Sequence, residues 1–320
     1  MSSDPRAQPG PRDISCAGLV PRFAIIANPS AGPRTNRARF DEIVSRLRLA
    51  GCALDVRVCD GASSNSDLAR AALGEGRFDA VLAAGGDGTI RATATALAGT
   101  TMPVGIIPVG TANVMAREIG LGFDAGTVVR CLTAGRVATI QTGRANGELF
   151  LLMAGVGLDG RIVAGLDLAL KRRVGKLAYG PALVRALAAG PDQLTVRIDG
   201  VEHRAAWVIA TLRRHYAGSF VIAPDAALED TGIHVVRFAC SSRRALVGQV
   251  LGVAAGRMRH HPGITDVVAT SIEITAEAPV PMQIDGEPFG TTPCRITADG
   301  PALRLLVPAE ATTLRQDRPA

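Results

Sequence analysis

The residues best suited to phosphate chemistry lie between positions 79 and 120. A glycine-rich turn, GGDGT at residues 85–89, follows a short apolar run at 80–84 and precedes a helix-like segment. Glycine has no Cβ atom, so the backbone N–H groups of this turn can approach an anion where a helix dipole favours negative charge. Asp87 would repel a phosphate unless a metal ion or a transferable proton lay between them. The turn therefore predicts phosphate binding assisted by a metal ion or a proton.

A second turn of the same kind lies within this stretch. The apolar run at 104–107 leads into GTAN at 110–113, and another helix-like segment begins at Val114. Apolar runs bounded by glycine are typical of buried strands in a parallel sheet, and ligands bind at the carboxyl ends of such strands. Both turns are therefore predicted to lie at the ligand-binding edge of one sheet.

The elements around these turns alternate between strand and helix. Strands are predicted at 23–27 and 54–59, and helices at 39–50, 66–73 and 124–133. The order βαβαβαβ through Ile107 predicts an α/β domain with a parallel sheet and right-handed crossovers. This first domain is assigned to residues 21–140, after a disordered tail at 1–20.

The pattern changes near Val137, where short strands separated by turns begin. Asp199-Gly200, Asp285-Gly286 and Asp299-Gly300 are short-turn dipeptides, and the strand at 271–276 places Ile272 and Ile274 on one face. Helices are predicted at 168–189 and 244–257. These features predict a β-rich, sandwich-like second domain over 141–309, followed by a flexible tail at 310–320.

GGDGT followed by GTAN resembles the catalytic domain of diacylglycerol kinases, sphingosine kinases and the soluble bacterial lipid kinases. Other elements follow in the order typical of that family: NPSAG at 28–32, GVGLD at 155–159, the AP-A-acidic segment at 223–230 and DGE at 285–287. Together they span about residues 22–310. The resemblance implies a first domain like that of NAD kinases and phosphofructokinases, a lipid-binding second domain and an active cleft between them.

The resemblance also implies an activity and its residues. The reaction would be ATP- and Mg²⁺-dependent phosphorylation of a hydroxyl on a diacylglycerol-like lipid, with Glu287 as the base and Asp87 supporting the Mg²⁺ of MgATP or orienting the γ-phosphate. Asp159 and Lys171 would face the cleft, and Asp230 would hold a second metal ion. The implied nucleotide-binding residues are Asn28, Pro29, Ser30, Gly85, Gly86, Asp87, Gly88, Thr89, Gly110, Thr111, Asn113 and Gly286.

Each motif also has a plain structural interpretation. NPSAG and the acidic segment around Asp230 could be ordinary turns, and Asp159 could form an Asx turn before a helix. The DGE segment could be a hairpin turn followed by an exposed acid, Glu287. The run GVGLDG at 155–160 fits a dinucleotide-binding fingerprint, but no βαβ unit follows and the region beyond it is basic, which argues against that function.

Four residues at three places depart from the family pattern. The usual Asn-Glu pair after GGDGT is replaced by Arg91-Ala92, the usual Asp after GT-x-N by Val114, and the usual Thr of the second strand by Cys59. These losses bear on metal geometry and nucleotide affinity more than on the fold. They keep two alternatives open: another GGDGT-type enzyme such as an NAD kinase, and a lipid-binding pseudokinase without turnover.

Composition limits the partners and the location. No run of about 18 apolar residues exists that could span a bilayer, and six scattered cysteines show no metal-ligand spacing, which is typical of reduced cytoplasmic thiols. The net charge is +6, with basic clusters at 171–176, 213–215 and 257–261. Aromatic residues make up only 3%, so stacking on nucleic acid is not expected. The sequence predicts a cytoplasmic protein that docks peripherally on anionic membrane, and it leaves the oligomeric state open.

Overall fold

The computed structural model describes residues 20–28, 35–60, 64–167, 170, 175–258 and 261–311. Three of the implied site residues, Pro29, Ser30 and Lys171, lie outside the described residues. So do almost all residues of the two predicted tails.

The first domain alternates strand and helix as the sequence predicts. Its elements are β1 (Arg22–Ala27), α1 (Thr35–Leu49), β2 (Ala53–Val58), α2 (Asn65–Glu75), β3 (Ala80–Gly85), α3 (Asp87–Leu97), β4 (Val104–Pro108), α4 (Val114–Glu118), α5 (Ala125–Ala134) and β5 (Arg136–Ile140). Strands β1, β2, β3 and β4 pair in parallel. Every residue of β3 and β4 is buried, because helices cover both faces of the sheet.

Local signals begin and end these helices. Ser64 and Asp67 form a capping box at the start of α2, and Gly76 ends that helix in the left-handed conformation with φ +63°. Asp124 caps α5, where its carboxylate accepts a hydrogen bond of 2.8 Å from the N–H of Thr127.

The last strand of the chain, β20 (Leu303–Val307), corrects the predicted domain boundary. The sequence assigned residues 141–309 to the second domain, but β20 inserts between β4 and β5 and completes a six-stranded sheet in the order β2-β1-β3-β4-β20-β5. It pairs in parallel with β4 and antiparallel with β5. Its apolar sequence predicts that the strand is buried but does not indicate which sheet it joins.

The second domain contains two antiparallel sheets of six strands each. One has the order β10-β9-β16-β19-β6-β7 and the other β15-β14-β11-β8-β17-β18. The strands are β6 (Gly143–Ala145), β7 (Glu148–Phe150), β8 (Met153–Gly157), β9 (Leu194–Ile198), β10 (Val201–Ala205), β11 (Trp207–Thr211), β14 (Ile233–Phe238), β15 (Ile264–Ala269), β16 (Ser271–Ala276), β17 (Pro281–Ile284), β18 (Glu287–Thr291) and β19 (Cys294–Thr297). Strands β12 (His215–Tyr216) and β13 (Phe220–Val221) form a separate two-stranded hairpin that belongs to neither of these sheets.

The two sheets share one apolar core, which confirms the predicted sandwich-like architecture. Ile272 and Ile274 are fully buried between the sheets, as their alternation in β16 predicts. Asp199-Gly200 and Asp285-Gly286 make tight hairpins, with positive φ at all four residues. Asp299-Gly300 instead connects β19 to β20, which lie in different sheets.

Three helices interrupt the described part of the second domain. They are α6 (Leu158–Ala164), α7 (Tyr179–Ala189) and α8 (Arg243–Ala254), and a 3₁₀ turn at Gly175–Ala178 leads into α7. The helix predicted at 168–189 corresponds to α7 over residues 179–189, while most of residues 168–174 lie outside the described residues. Helix α6 was not predicted. Helices α7 and α8 pack against each other, and α6 packs against α7.

Candidate active site

A cleft of about 1410 Å³ runs between the two domains and is lined by both of them. One end is formed by the glycine turns after β3 and β4, and the other by helices α6, α7 and α8. Most of the implied site residues that the structure describes line it, namely Asn28, Gly86, Asp87, Gly88, Thr89, Gly110, Thr111, Asn113, Asp159, Gly286 and Glu287. Gly85 and Asp230 do not.

The two glycine turns touch through their backbones. A Cβ atom on Gly110 would lie 2.2 Å from the Cα of Gly86, which no side chain can tolerate. The predicted placement of both turns at one sheet edge is therefore confirmed. Their contact leaves the start of α3 open to the cleft.

Asp87 joins these turns through its carboxylate. Its two oxygens accept hydrogen bonds from the N–H groups of Val114 (3.1 Å) and Met115 (3.0 Å) at the start of α4. Bonds to an ionised acceptor are about twice as strong as neutral ones. Asp87 therefore fixes the second turn against the first, a positioning contact that the sequence did not indicate.

Asn113 completes the second turn. It adopts the left-handed conformation with φ +50°, and its side-chain amide both accepts from the N–H and donates to the C=O of Gly110. Asn36 of α1 donates to the C=O of Val109 at 2.7 Å and so holds the preceding residue. These hydrogen bonds hold the turn in its conformation within the protein itself. Asn36 was not singled out from the sequence, because a buried asparagine in a helix carries no motif.

Glu287 reaches across the cleft from the second domain to the first. Its Oε1 lies only 2.3 Å from the position that a Cβ atom on Gly88 would take, so the carboxylate rests directly on the GGDGT turn. Its other oxygen accepts a hydrogen bond from the guanidinium of Arg91. The side chain is 52% exposed. Glu287 is thus the exposed hairpin acid of the alternative interpretation, and the hairpin places it against the GGDGT turn.

Asp285 anchors the hairpin that carries Glu287. Its carboxylate accepts three backbone hydrogen bonds, from the N–H groups of Leu151, Leu152 and Met153, at 2.8–3.0 Å. Burial raises the pKa of this carboxyl to about 6, against the opposing effect of these three donors and of Arg91. Within the DGE motif, Asp285 therefore anchors the hairpin and Glu287 presents an exposed carboxylate.

Asp159 lies in the cleft and is almost wholly buried. Its oxygens accept hydrogen bonds from the hydroxyl of Tyr216 and the amide of Gln283, each at 2.5 Å. Burial raises its pKa, opposed by these two donors. The same Gln283 accepts a 2.7 Å bond from the N–H of Gly286. Asp159 is therefore linked to the Glu287 hairpin, and Tyr216 and Gln283 join the site from positions that no motif marked.

The far end of the cleft is apolar. Its lining comes from helices α6, α7 and α8 and from the β12–β13 hairpin, and includes Ile162, Leu183, Val250, Val253 and Phe220. A ligand that fills the whole cleft would therefore have a polar end and an apolar end.

The donor set does not make a dedicated metal site. Among the described residues, no group of three or more His, Cys, Asp or Glu side chains is placed to hold an ion. Asp230 accepts a hydrogen bond from the N–H of Ala227 within its own turn and lies outside the cleft lining, so the geometry gives no support to its predicted metal role. Both oxygens of Asp87 and both oxygens of Asp285 already accept backbone N–H bonds.

One of the basic clusters, at 213–215, contains a buried arginine. Arg213 is fully buried and donates to the carbonyl groups of Leu212, Leu228 and Gln141. Burial lowers its pKa to about 10, against the opposing charges of three nearby acids, Glu118, Asp285 and Asp230. Arg213 therefore adds nothing to the basic surface that the sequence of 213–215 suggested, although Arg214 and His215 remain partly exposed. Asp230 helps to balance the buried cation.

Comparison with known proteins supports these observations. Residues 22–145 match the model for the diacylglycerol kinase catalytic domain, and residues 153–307 match the model for the YegS C-terminal NAD kinase beta sandwich-like domain. The chain belongs to the diacylglycerol kinase catalytic-domain family. Together the two matches account for both domains of this family member.

Individual relatives extend over most of the chain. The protein named "Probable lipid kinase YegS-like" from Klebsiella pneumoniae (strain 342) is 29% identical over 290 residues, 89% of this chain and 96% of the relative. The "Diacylglycerol kinase" from Bacillus subtilis (strain 168) is 27% identical over 289 residues, 85% of this chain and 91% of the relative. These relatives support a lipid kinase.

Two crystal structures of proteins from Bacillus anthracis str. Sterne share the fold. The first has a TM-score of 0.74 at 23% identity and covers 91% of this chain and 96% of its own. The second, a diacylglycerol kinase, has a TM-score of 0.65 at 20% identity and covers 91% and 98%. Both confirm the two-domain architecture of the family in this chain.

Proposed function

We propose that this family member transfers the γ-phosphoryl group of MgATP to a hydroxyl of a diacylglycerol-like lipid. One observation carries the proposal: a continuous cleft joins the glycine turns to an apolar end, with Glu287 at the junction. The nucleotide phosphates would lie at the start of α3, where backbone N–H groups favour an anion. The acyl chains would fill the apolar end.

In this proposal the groups around that junction carry out the phosphoryl transfer. The lipid oxygen attacks the γ-phosphorus, the bond from phosphorus to the β–γ bridging oxygen breaks, and ADP leaves. A carboxylate is too weak a base to deprotonate an alcohol outright, so Glu287 accepts the proton while the new P–O bond forms. The rigid turns around Gly86 and Gly110 contribute positioning, on which phosphoryl transfer mainly depends. In this proposal Mg²⁺ arrives with the ATP phosphates, because the described side chains offer no complete site for it.

We also propose that the protein docks on anionic membrane through α7 and α8. Both helices line the apolar end of the cleft and also carry exposed apolar side chains, with Val184 at 66% and Leu251 at 62% exposure. Neither helix contains an acidic residue, and both carry exposed arginines: Arg185, Arg243 and Arg244. An apolar, cationic surface next to the lipid end of the cleft suits the surface of an anionic bilayer. No helix in the described part of the chain is long and apolar enough to cross a membrane.

A panel assay tests the activity. Radiolabelled ATP is offered with diacylglycerol, other hydroxyl lipids, NAD and a sugar phosphate, and products are identified by mass spectrometry. A labelled phospholipid supports the proposal, whereas labelled NADP or a sugar bisphosphate would replace it with another GGDGT-type kinase. The Arg91–Glu287 ion pair favours one second candidate, a lipid-binding pseudokinase. Nucleotide binding without any labelled product across the panel would support that candidate.

Liposome co-sedimentation tests the docking surface. Lys and Arg near a membrane contribute about 1 kcal/mol each and are screened over a Debye length of about 8 Å, so binding to anionic vesicles should fall steeply with salt. The double variant Val184→Ser with Leu251→Ser should bind several-fold less, while Val201→Ser, an exposed valine on the far sheet, should bind like the parent. Binding that is indifferent to salt, anionic lipid and these helices would contradict the docking proposal.

A further inference from the structure

Arg91 occupies the junction of the cleft at a position where the family pattern has no arginine. It lies one turn after Asp87 in α3, and its guanidinium donates to Glu287 while its Nε stands 3.9 Å from Asp285. That Nε atom is buried and has no hydrogen-bond partner. The side chain is only 19% exposed. Arg91 is therefore held in the cleft with part of its bonding capacity unused.

The surroundings of Arg91 are dominated by acids. Asp87, Asp285 and Glu287 all lie at this junction, where the proposed function requires ATP phosphates to bind. Three carboxylates would repel a phosphate, and a guanidinium among them offsets part of that repulsion. Guanidinium groups also match phosphate oxygens with two parallel N–H donors, a geometry that a single carboxylate oxygen does not use fully.

We propose that Arg91 is a phosphate-binding residue that exchanges partners when ATP binds. In the free protein it pairs with Glu287, and in the complex its guanidinium moves to the terminal phosphate. The inference rests on the proposed function. The exchange releases the Glu287 carboxylate at the moment when a phosphoryl group is present, so the base becomes available to the lipid hydroxyl only in the nucleotide complex.

The exchange also supplies charge where the reaction needs it. In phosphoryl transfer negative charge is spread over the equatorial oxygens of the moving group, and a guanidinium at that point stabilises it. The proton of the lipid hydroxyl then passes to Glu287, which Arg91 has left. Arg91, which departs from the family pattern, thus supplies a cation in place of part of the polar environment that the usual Asn-Glu pair would provide.

Calorimetric titration with ATP and with ADP tests this role. The parent protein should bind ATP at least tenfold more tightly than ADP, because only ATP has the terminal phosphate that Arg91 contacts. Arg91→Gln should weaken ATP binding at least tenfold and change ADP binding less than twofold, and Arg91→Lys should lie between them. The control Arg77→Gln removes another ion-paired arginine of the same domain, outside the cleft, and should behave like the parent.

Glu287→Gln supplies the second readout. Without its carboxylate competitor Arg91 is free at the start, so ATP should bind several-fold more tightly although turnover is lost. A purely structural ion pair would give unchanged or weaker ATP binding in Glu287→Gln and unchanged ATP binding in Arg91→Lys, and that result would overturn the exchange. If Arg91→Gln proves unfolded by circular dichroism, Arg91→Lys and Glu287→Gln decide the question. A parent protein that binds no ATP would refute the proposed function itself, whereas ATP-dependent turnover with an unchanged ATP preference in Arg91→Gln would refute only the exchange.

Discussion

Two hairpins of the second domain have the same turn and opposite surroundings. Asp199-Gly200 joins β9 to β10, and Asp285-Gly286 joins β17 to β18, with φ of 43° and 90° in the first and 49° and 82° in the second. Both aspartates accept backbone N–H bonds from a neighbouring segment. Asp199 is at the surface, where bonds from Ser271 and Thr270 lower its pKa, whereas burial raises that of Asp285 to about 6.

The difference between the two hairpins separates what the local sequence determines from what the tertiary structure determines. The Asp-Gly dipeptide sets the backbone of either turn, because both residues tolerate positive φ. In the first hairpin the position equivalent to Glu287 holds Val201, and the next residue, Glu202, pairs with the surface side chain of Arg197. Glu287 instead meets the GGDGT turn of the other domain. The Asp-Gly turn therefore becomes part of the cleft only where an acid follows it directly and the tertiary structure places the GGDGT turn opposite that acid.

The sharpest test compares the two acids that follow these turns. Glu287→Gln should lower kcat by about 10²–10⁴, equivalent to roughly 3–5 kcal/mol of barrier, because the general base is lost and the shape is kept. Glu202→Gln should leave kcat unchanged, since Glu202 lies outside the cleft. Steady-state kinetics with saturating ATP and lipid measures both. Equal activity in the two variants would remove Glu287 from the mechanism.

Asp87→Asn extends the comparison to the first domain. Each oxygen of Asp87 accepts one N–H, and asparagine replaces one of these oxygens with an NH₂ donor, so one N–H loses its partner and the second glycine turn loosens. We expect kcat to fall by about 10²–10³, as when one preorganised contact of an active site is removed, with a stability loss of only about 1–2 kcal/mol. Turnover and urea unfolding measure the two effects.

The matched control for this variant is Asp124→Asn. Asp124 also accepts a backbone N–H bond, at the start of α5, but lies outside the cleft lining. It should cost a similar amount of stability and leave turnover intact. If Asp87→Asn has near-parental turnover as well, the link between the two turns has no role in phosphoryl transfer.

The pH dependence of stability should differ in sign between the hairpin acids. The pKa of Asp285 is higher in the folded protein, about 6, than its ordinary value near 3.8, so its stabilising contribution is complete below about 3.8 and is lost as the pH rises through 6. This change amounts to about 3 kcal/mol at most, at 1.36 kcal/mol per pKa unit. Asp199, whose pKa is lowered, contributes stability above its ordinary value and loses it as the pH falls.

Unfolding free energies at pH 4 and pH 7 measure this contrast. The advantage of the parent over Asp285→Asn should shrink from pH 4 to pH 7, while its advantage over Asp199→Asn should grow. Parallel changes in the two variants would show that burial does not separate the two aspartates.

The smallest expected effect is that of Asp199→Asn itself. Its carboxylate is exposed, so water replaces the lost hydrogen bonds, and we expect a change of less than about 1 kcal/mol in the free energy of unfolding at neutral pH. Thermal or urea unfolding checks this value. A loss as large as that of the buried anchor Asp285 would contradict the distinction between the two hairpins.

The amino-acid sequence alone determined the local devices of this protein. The glycine turns, the strand and helix order of the first domain, the alternation in β16 and two of the three Asp-Gly hairpins followed from residue types and spacing, because these features depend on backbone sterics and on neighbours along the chain. The order of the motifs also identified the family, which the domain matches confirm.

Only the tertiary structure decided how these devices meet. In the tertiary structure β20 joins the sheet of the first domain, and Arg213 of an apparently basic cluster is buried. Arg91 pairs with Glu287, which lies 196 positions away in the chain. The tertiary structure also tied Asp87 to α4, and Asp159 to Tyr216 and Gln283. The hydrophobic effect is non-directional, so an apolar strand does not specify its neighbour in a sheet. A charged residue in the sequence likewise does not show whether it will be buried. The partner of a strand, an acid or an arginine is therefore fixed only when the whole core forms.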